Sequence, residues 1–243
     1  MEGWLLGRRL TAMSLAHERF LTRRLTDGRP GVLTLYRADA EPDPSVYEVI
    51  RRLPREHVAE IIGSGRWKGR AYEIEEELTE ETLADVGYLG GSVDVIRRIA
   101  DQVGRALNAL SEVGLRHLDL RPSTILVRGR EPLDLVVTGF GSARPAEYDR
   151  EIVSSLETSR YMAPETVAGS VAGASDWWSL GMVLLEQVTN GACFEGVSDQ
   201  AFLIRVMVHG PPIPADIDPI LALLLRGLLA HDPRQPLRLP MSR

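Results

Sequence analysis

The 243-residue sequence predicts an α+β chain in two lobes, a small antiparallel sheet over residues 1–78 and a mainly helical part over residues 79–243. Two patterns carry this prediction. The first third alternates short apolar runs with turn signals, as antiparallel strands do. Later, Val95, Ile96, Ile99, Val103, Leu107 and Leu110 recur on one face of a helix from Val93 to Val113. With 44% hydrophobic residues the chain can bury a sizeable core, as one two-lobed domain or two small ones.

In order, strands are expected over Trp4 to Leu10, Glu18 to Leu25, Val32 to Arg37, Val58 to Gly63 and Arg70 to Leu78. Asp27-Gly28 and Lys68-Gly69 supply turns between neighbouring strands. One helix interrupts the series: Pro44 and Ser45 form a start signal, and Val46, Val49, Ile50 and Leu53 follow at helical spacing. Glu75 to Glu77 and Thr79 to Glu81 make an acidic patch where the chain crosses to the second part. Read on its own, this patch is a solvated strand end leading into a helix capped near Thr79 and Thr82. The long helix ends at Gly114. A further helix, from about Asp199 to His209, is apolar at more positions than one buried stripe needs. Phe202, Val206 and His209 share one of its faces, and Leu203 and Met207 a neighbouring one.

The net charge of -6, with Lys and Arg scattered, argues against a nucleic-acid surface. The single cysteine, Cys193, excludes an internal disulfide and fits a reducing cytoplasm. No apolar run reaches the length of about 20 residues that spans a bilayer, and Glu2 and Gly3 do not make the basic start of a secretory leader. Internal repeats, low-complexity tracts and metal-ligand clusters are absent from the sequence.

The most informative stretch reads H-L-D-L-R-P-S-T-I-L-V from His117, then V-V-T-G-F-G ending at Gly141. It resembles the catalytic loop and metal-binding loop of protein kinases, H-R-D-L-K-P-x-N-I-L followed by D-F-G. Tyr161-Met162-Ala163-Pro164-Glu165 is similar to the end of a kinase activation segment. Asp176-Trp177-Trp178-Ser179-Leu180-Gly181 is similar to the start of the central helix of the large lobe. The order and distances of these motifs imply a two-lobed protein-kinase-like fold over nearly the whole chain. The double tryptophan and the Pro132 to Val137 run favour the bacterial Ser/Thr branch.

Against that family several positions have changed. Asp119 stands where the base accepts the substrate hydroxyl proton, and Arg121 replaces the lysine beside it. The loop asparagine is Thr124, and the aspartate that holds magnesium is Gly139, which has no side chain to offer. The segment between the first two strands, Leu10 to His17, has no glycine where a kinase cradles the phosphates. The best register puts Thr34 at the third-strand lysine, while slips of two or three residues put Tyr36 or Arg37 there. Glu48 is then either the helix partner of that position or a solvated surface carboxylate. The backbone of Glu76 to Leu78 is where the resemblance places an adenine ring. Leu118 replaces the arginine that receives an activation-loop phosphate.

Two structural roles are implied to survive. Asp176 accepts backbone N–H bonds from the catalytic loop, and Glu165 pairs with a late arginine, for which Leu228 to Pro236 offers Arg234, with Arg238 beyond. The chain stops before a full set of late helices, as a compact domain or one segment of a longer protein.

The resemblance therefore implies a degraded member: a pseudokinase that binds a protein partner, such as an active kinase or another signalling protein. No cofactor is expected, or ATP taken without magnesium. Two alternatives stand beside it. One is a slow or atypical Ser/Thr phosphotransferase using Asp119 as base, with Arg37, Lys68 or Arg121 on the phosphates. The other is a metal-independent nucleotide sensor.

Overall fold

The computed structural model describes residues 2–12, 17–38, 42–79, 81–146, 159–167 and 174–230. Five strands form the first sheet: β1 (Trp4–Leu10), β2 (His17–Arg24), β3 (Pro30–Tyr36), β4 (Ile61–Trp67) and β5 (Arg70–Glu76), with α1 (Pro44–Ile50) between β3 and β4. All neighbours are antiparallel in the order β1-β2-β3-β5-β4. The Lys68-Gly69 turn takes left-handed values at both residues, φ 49° and 79°, whose twist matches that of the strands it joins. Asp43 caps α1 by accepting the Ser45 N–H at 2.9 Å.

The fourth strand is displaced from its expected span. Val58 pairs instead in an isolated parallel bridge with Val137, tying the helix-to-strand connection onto the second lobe. Gly63, Ser64 and Gly65 are weak strand formers, yet pairing with Ile74, Glu73 and Tyr72 of β5 carries the strand through them.

The sheet is covered on both faces. On the outer face Leu33, Leu35 and Ile74 are buried beneath Trp4, Phe20, Ile62, Trp67 and Tyr72. The inner face carries the cross-strand row Arg19–Thr34–Glu73 and, beside it, the row Leu21–Val32–Glu75. Residues directly opposite share a face, so the inner face is polar at its centre.

In the second lobe α2 (Leu83–Val86) begins in a reciprocal capping box between Thr82 and Asp85 rather than at Thr79. Helix α3 (Val93–Glu112) buries Ile96, Ile99, Val103, Leu107 and Leu110 as its periodicity predicts. Short strands β6 (Leu115–Arg116) and β9 (Arg144–Pro145) pair with each other, as do β7 (Ile125–Arg130) and β8 (Leu133–Val137). Then come α4 (Pro164–Val167), α5 (Ser175–Thr189), α6 (Asp199–His209) and α7 (Pro219–Leu228). Helix α5 is buried nearly all round and packs with α3 at the centre of the main core. Among the described residues no helix is long and apolar enough to cross a membrane.

Candidate functional site

The loop from His117 to Thr124 hangs from α5. Asp176 accepts the backbone N–H groups of His117 and Leu118, both at 2.8 Å, and these bonds hold Leu118 at φ +63°. A leucine rarely adopts that conformation unless its surroundings fix it. The His117 ring reaches the Thr138 carbonyl oxygen at 2.9 Å and packs edge-on against buried Phe140, with ring centroids 5.4 Å apart. Thr124 closes the turn: its hydroxyl accepts the Arg121 N–H and lies 3.0 Å from the carbonyl oxygens of Asp119 and Arg121. Asp119 forms an ion pair with Arg121 at 3.3 Å. His17 of β2 lies close by, and its pKa is lowered to about 4 by burial and then by the charges of Arg19 and Arg121.

Across from this loop, the inner face of the sheet carries two buried carboxylates. Glu75, 3% exposed, accepts the Thr138 hydroxyl in a short bond and the Gly139 N–H at 3.3 Å, bridging β5 to the second lobe. Glu73, fully buried, accepts the Tyr36 hydroxyl at 2.7 Å. Burial first, and then the charge of Glu75, push Glu73 up to about 8. Burial also raises Glu75. The guanidinium of Arg19, itself pulled down by burial, faces both. The Tyr47 hydroxyl of α1 lies beside the Glu73 carboxyl and, like Tyr36, acts on it as a hydrogen-bonding neighbour, though outside ideal geometry.

Gly139 sits in the left-handed region at φ 79°, ψ 50°. Gly141 admits Tyr36 so closely that a Cβ there would lie 2.3 Å from the phenol oxygen.

Thus Thr34 is buried between Arg19 and Glu73, and Tyr36 fills the space against Gly141. Arg37 is exposed past the strand end. Glu48 does not approach Thr34: its side chain is 66% exposed and pairs with Arg51, the solvated carboxylate the sequence also allowed. Glu76 is tied to the segment before β4, donating its N–H to the Glu60 carbonyl at 2.9 Å and accepting the Glu60 N–H on its side chain at 3.0 Å. Leu78 packs half-buried against the core. The expected acidic surface patch is corrected at Glu75, which points inward because the strand's outer face is taken by Tyr72 and Ile74. Glu165 accepts the Ser175 hydroxyl at 3.3 Å. Met13 to Ala16, Arg234 and Arg238 lie outside the described residues.

A profile of the protein kinase domain matches residues 46–240. The chain belongs to the protein kinase domain family. It is 33% identical over 145 residues to the serine/threonine-protein kinase AtPK2/AtPK19 of Arabidopsis thaliana, covering 58% of this chain and 30% of that protein. It is 33% identical over 174 residues to mitogen-activated protein kinase kinase kinase 4 of Mus musculus, covering 67% of this chain and 11% of that protein. A dual specificity tyrosine-phosphorylation-regulated kinase 2 of Drosophila melanogaster is 32% identical over 128 residues, with 52% and 18% covered. The chain spans a third or less of the length of these relatives.

The antiparallel sheet followed by a helical lobe is the two-lobed kinase fold. Within it the residues present do not fit the magnesium that kinases hold. Gly139 has no side chain to offer a ligand atom, the Thr138 hydroxyl donates to Glu75, and the Thr124 hydroxyl is committed to its own loop.

Sequence reasoning missed Arg19 and Glu73. The signal lies in strand register: Arg19, Thr34 and Glu73 become one row only once β2, β3 and β5 are aligned.

Proposed function

We propose that this is a catalytically impaired kinase-fold domain that works by binding a protein partner, in a reducing cytoplasm and on the bacterial Ser/Thr branch. The observation that carries the reading is the Glu75 carboxylate, an N-lobe side chain engaged with Thr138 and Gly139 at the metal loop. Phosphoryl transfer relies on a metal and fixed cations to neutralise charge developing between the lobes. Here the Glu75 carboxylate at that loop is committed to Thr138 and Gly139, Thr34 brings no charge, and Asp119 is engaged by Arg121. Arg19 and Tyr36 are buried on the inner face of the sheet, and Tyr36 packs against Gly141.

A partner surface is offered by α6. Phe202, Leu203 and Val206 are buried, while Ile204 (58% exposed), Met207 (44%) and Val208 (69%) form an outward apolar strip. Exposed apolar residues that gather into one contiguous patch are a feature of interaction sites.

The phosphotransferase reading keeps one support, the intact shape of the loop that presents Asp119. Calorimetric titration with ATP, with and without magnesium, separates the readings. No heat of binding in either condition is expected, ATP binding only without metal indicates the nucleotide sensor, and metal-dependent binding restores the enzyme.

A further inference from the structure

Glu73 and Glu75 stand two residues apart on β5, so their side chains leave the same face of the strand. Both are buried, and Arg19 is the cation facing the pair. Two buried negative charges beside one guanidinium are electrostatically costly, and a neutral acid removes the excess. The hydrogen bonds indicate where the proton resides. Glu75 takes two donors, the Thr138 hydroxyl and the Gly139 N–H, as an ionised carboxylate does. Glu73 has hydroxyl neighbours alone, Tyr36 at 2.7 Å and Tyr47 of α1 beside its carboxyl, and a hydroxyl can accept a proton donated by a neutral acid as well as donate, whereas the Gly139 N–H beside Glu75 can only donate.

We propose that Glu73 and Glu75 together carry one negative charge, with the proton on Glu73, and that this proton is a switch holding β5 to α1 and to the loop of residues 138–141. The surroundings of Glu73 are Arg19 from β2, Tyr36 from β3, Tyr47 from α1 and Glu75 from its own strand. On β4, Ser64 stands opposite Glu73 and accepts the Arg51 guanidinium, which also pairs with Glu48. His117 of the second lobe faces Glu75. Loss of the Glu73 proton to solvent puts a second buried charge beside that of Glu75. The contact to α1 and the bridge to Thr138 and Gly139 then weaken together.

The sign follows from linkage. Burial holds the folded-state pKa of Glu73 above its unfolded value of 4.5, so the stability it contributes is fully present below pH 4.5. It is lost as pH rises towards about 8. The device operates whether or not a partner binds.

The test is a carboxyl-carbon NMR titration of protein labelled at glutamate, with melting temperatures from pH 5 to 9 for wild type, Glu73→Gln and Glu75→Gln. One glutamate signal is expected to titrate near pH 8 and to vanish in Glu73→Gln. The melting temperature of wild type is expected to fall across this range, with a smaller slope in Glu73→Gln. The proposal is overturned if every glutamate in wild type titrates below pH 6, or if the Gln variant keeps the wild-type slope. Should Glu73→Gln fail to fold, the wild-type titration decides alone.

Discussion

The carboxylate of Glu75 accepts the backbone N–H of Gly139 at 3.3 Å, joining the two lobes at the point where kinases place a metal-binding aspartate. Glu75→Ala leaves that N–H and the buried Thr138 hydroxyl without their acceptor. Unpaired buried donors cost about 1–3 kcal/mol each, so a loss of roughly 2–4 kcal/mol is expected in urea unfolding. Unchanged stability would show that the bridge contributes nothing to the folded domain.

Gly139→Asp, which restores the residue type of the family, is expected to fail as a repair. Its carboxylate would enter beside that of Glu75, at a backbone position with φ 79°. Like charges at a buried site and a left-handed conformation both oppose it, and a loss of about 1–3 kcal/mol is expected by thermal melting. A gain in stability, or magnesium binding by this single variant, would contradict the reading of the loop.

Asp176→Ala should destabilise the domain by roughly 2–5 kcal/mol, because the His117 and Leu118 N–H groups lose their acceptor and Leu118 loses what holds its conformation. Asp119→Ala breaks an ion pair at a part-exposed carboxylate, with an expected change below about 1 kcal/mol. Equal melting temperatures for the two variants would mean that α5 does not support the loop.

Much of this architecture is legible in the sequence, and the limits have a physical origin. Helix α3 follows from its 3.6-residue apolar period, and the role of Asp176 follows from a motif kept at kinase spacing behind the His117 loop. The inner-face cluster was not legible because β5 alternates Tyr72, Ile74 with Glu73, Glu75, which reads as apolar inside and acidic outside. The outer face instead has its own cover of Trp4, Phe20 and Trp67, and the acids turn inward. On α6 helical spacing separated two faces, but which one the core covers was settled by packing: Leu203 is buried with Phe202, and the exposed strip is Ile204, Met207 and Val208.

That strip predicts a separation of stability from binding. Ile204→Glu with Val208→Glu should alter stability by less than about 1 kcal/mol, since both side chains are largely in solvent. Phe202→Glu, at a fully buried position, should unfold the domain. Once a partner is known, the first pair should abolish its binding in surface plasmon resonance. Wild-type affinity in that variant would move the partner site away from α6.

The most direct measurement is transfer of radiolabelled phosphate from ATP to generic protein substrates with magnesium or manganese, run beside an Asp119→Asn control. Incorporation no greater than the control is expected because, on the proposed reading, Gly139 stands at the metal-aspartate position and Thr34 at the lysine position, and Glu75 is bonded to the metal loop. Robust incorporation that disappears in Asp119→Asn would contradict the account and make the domain an active kinase.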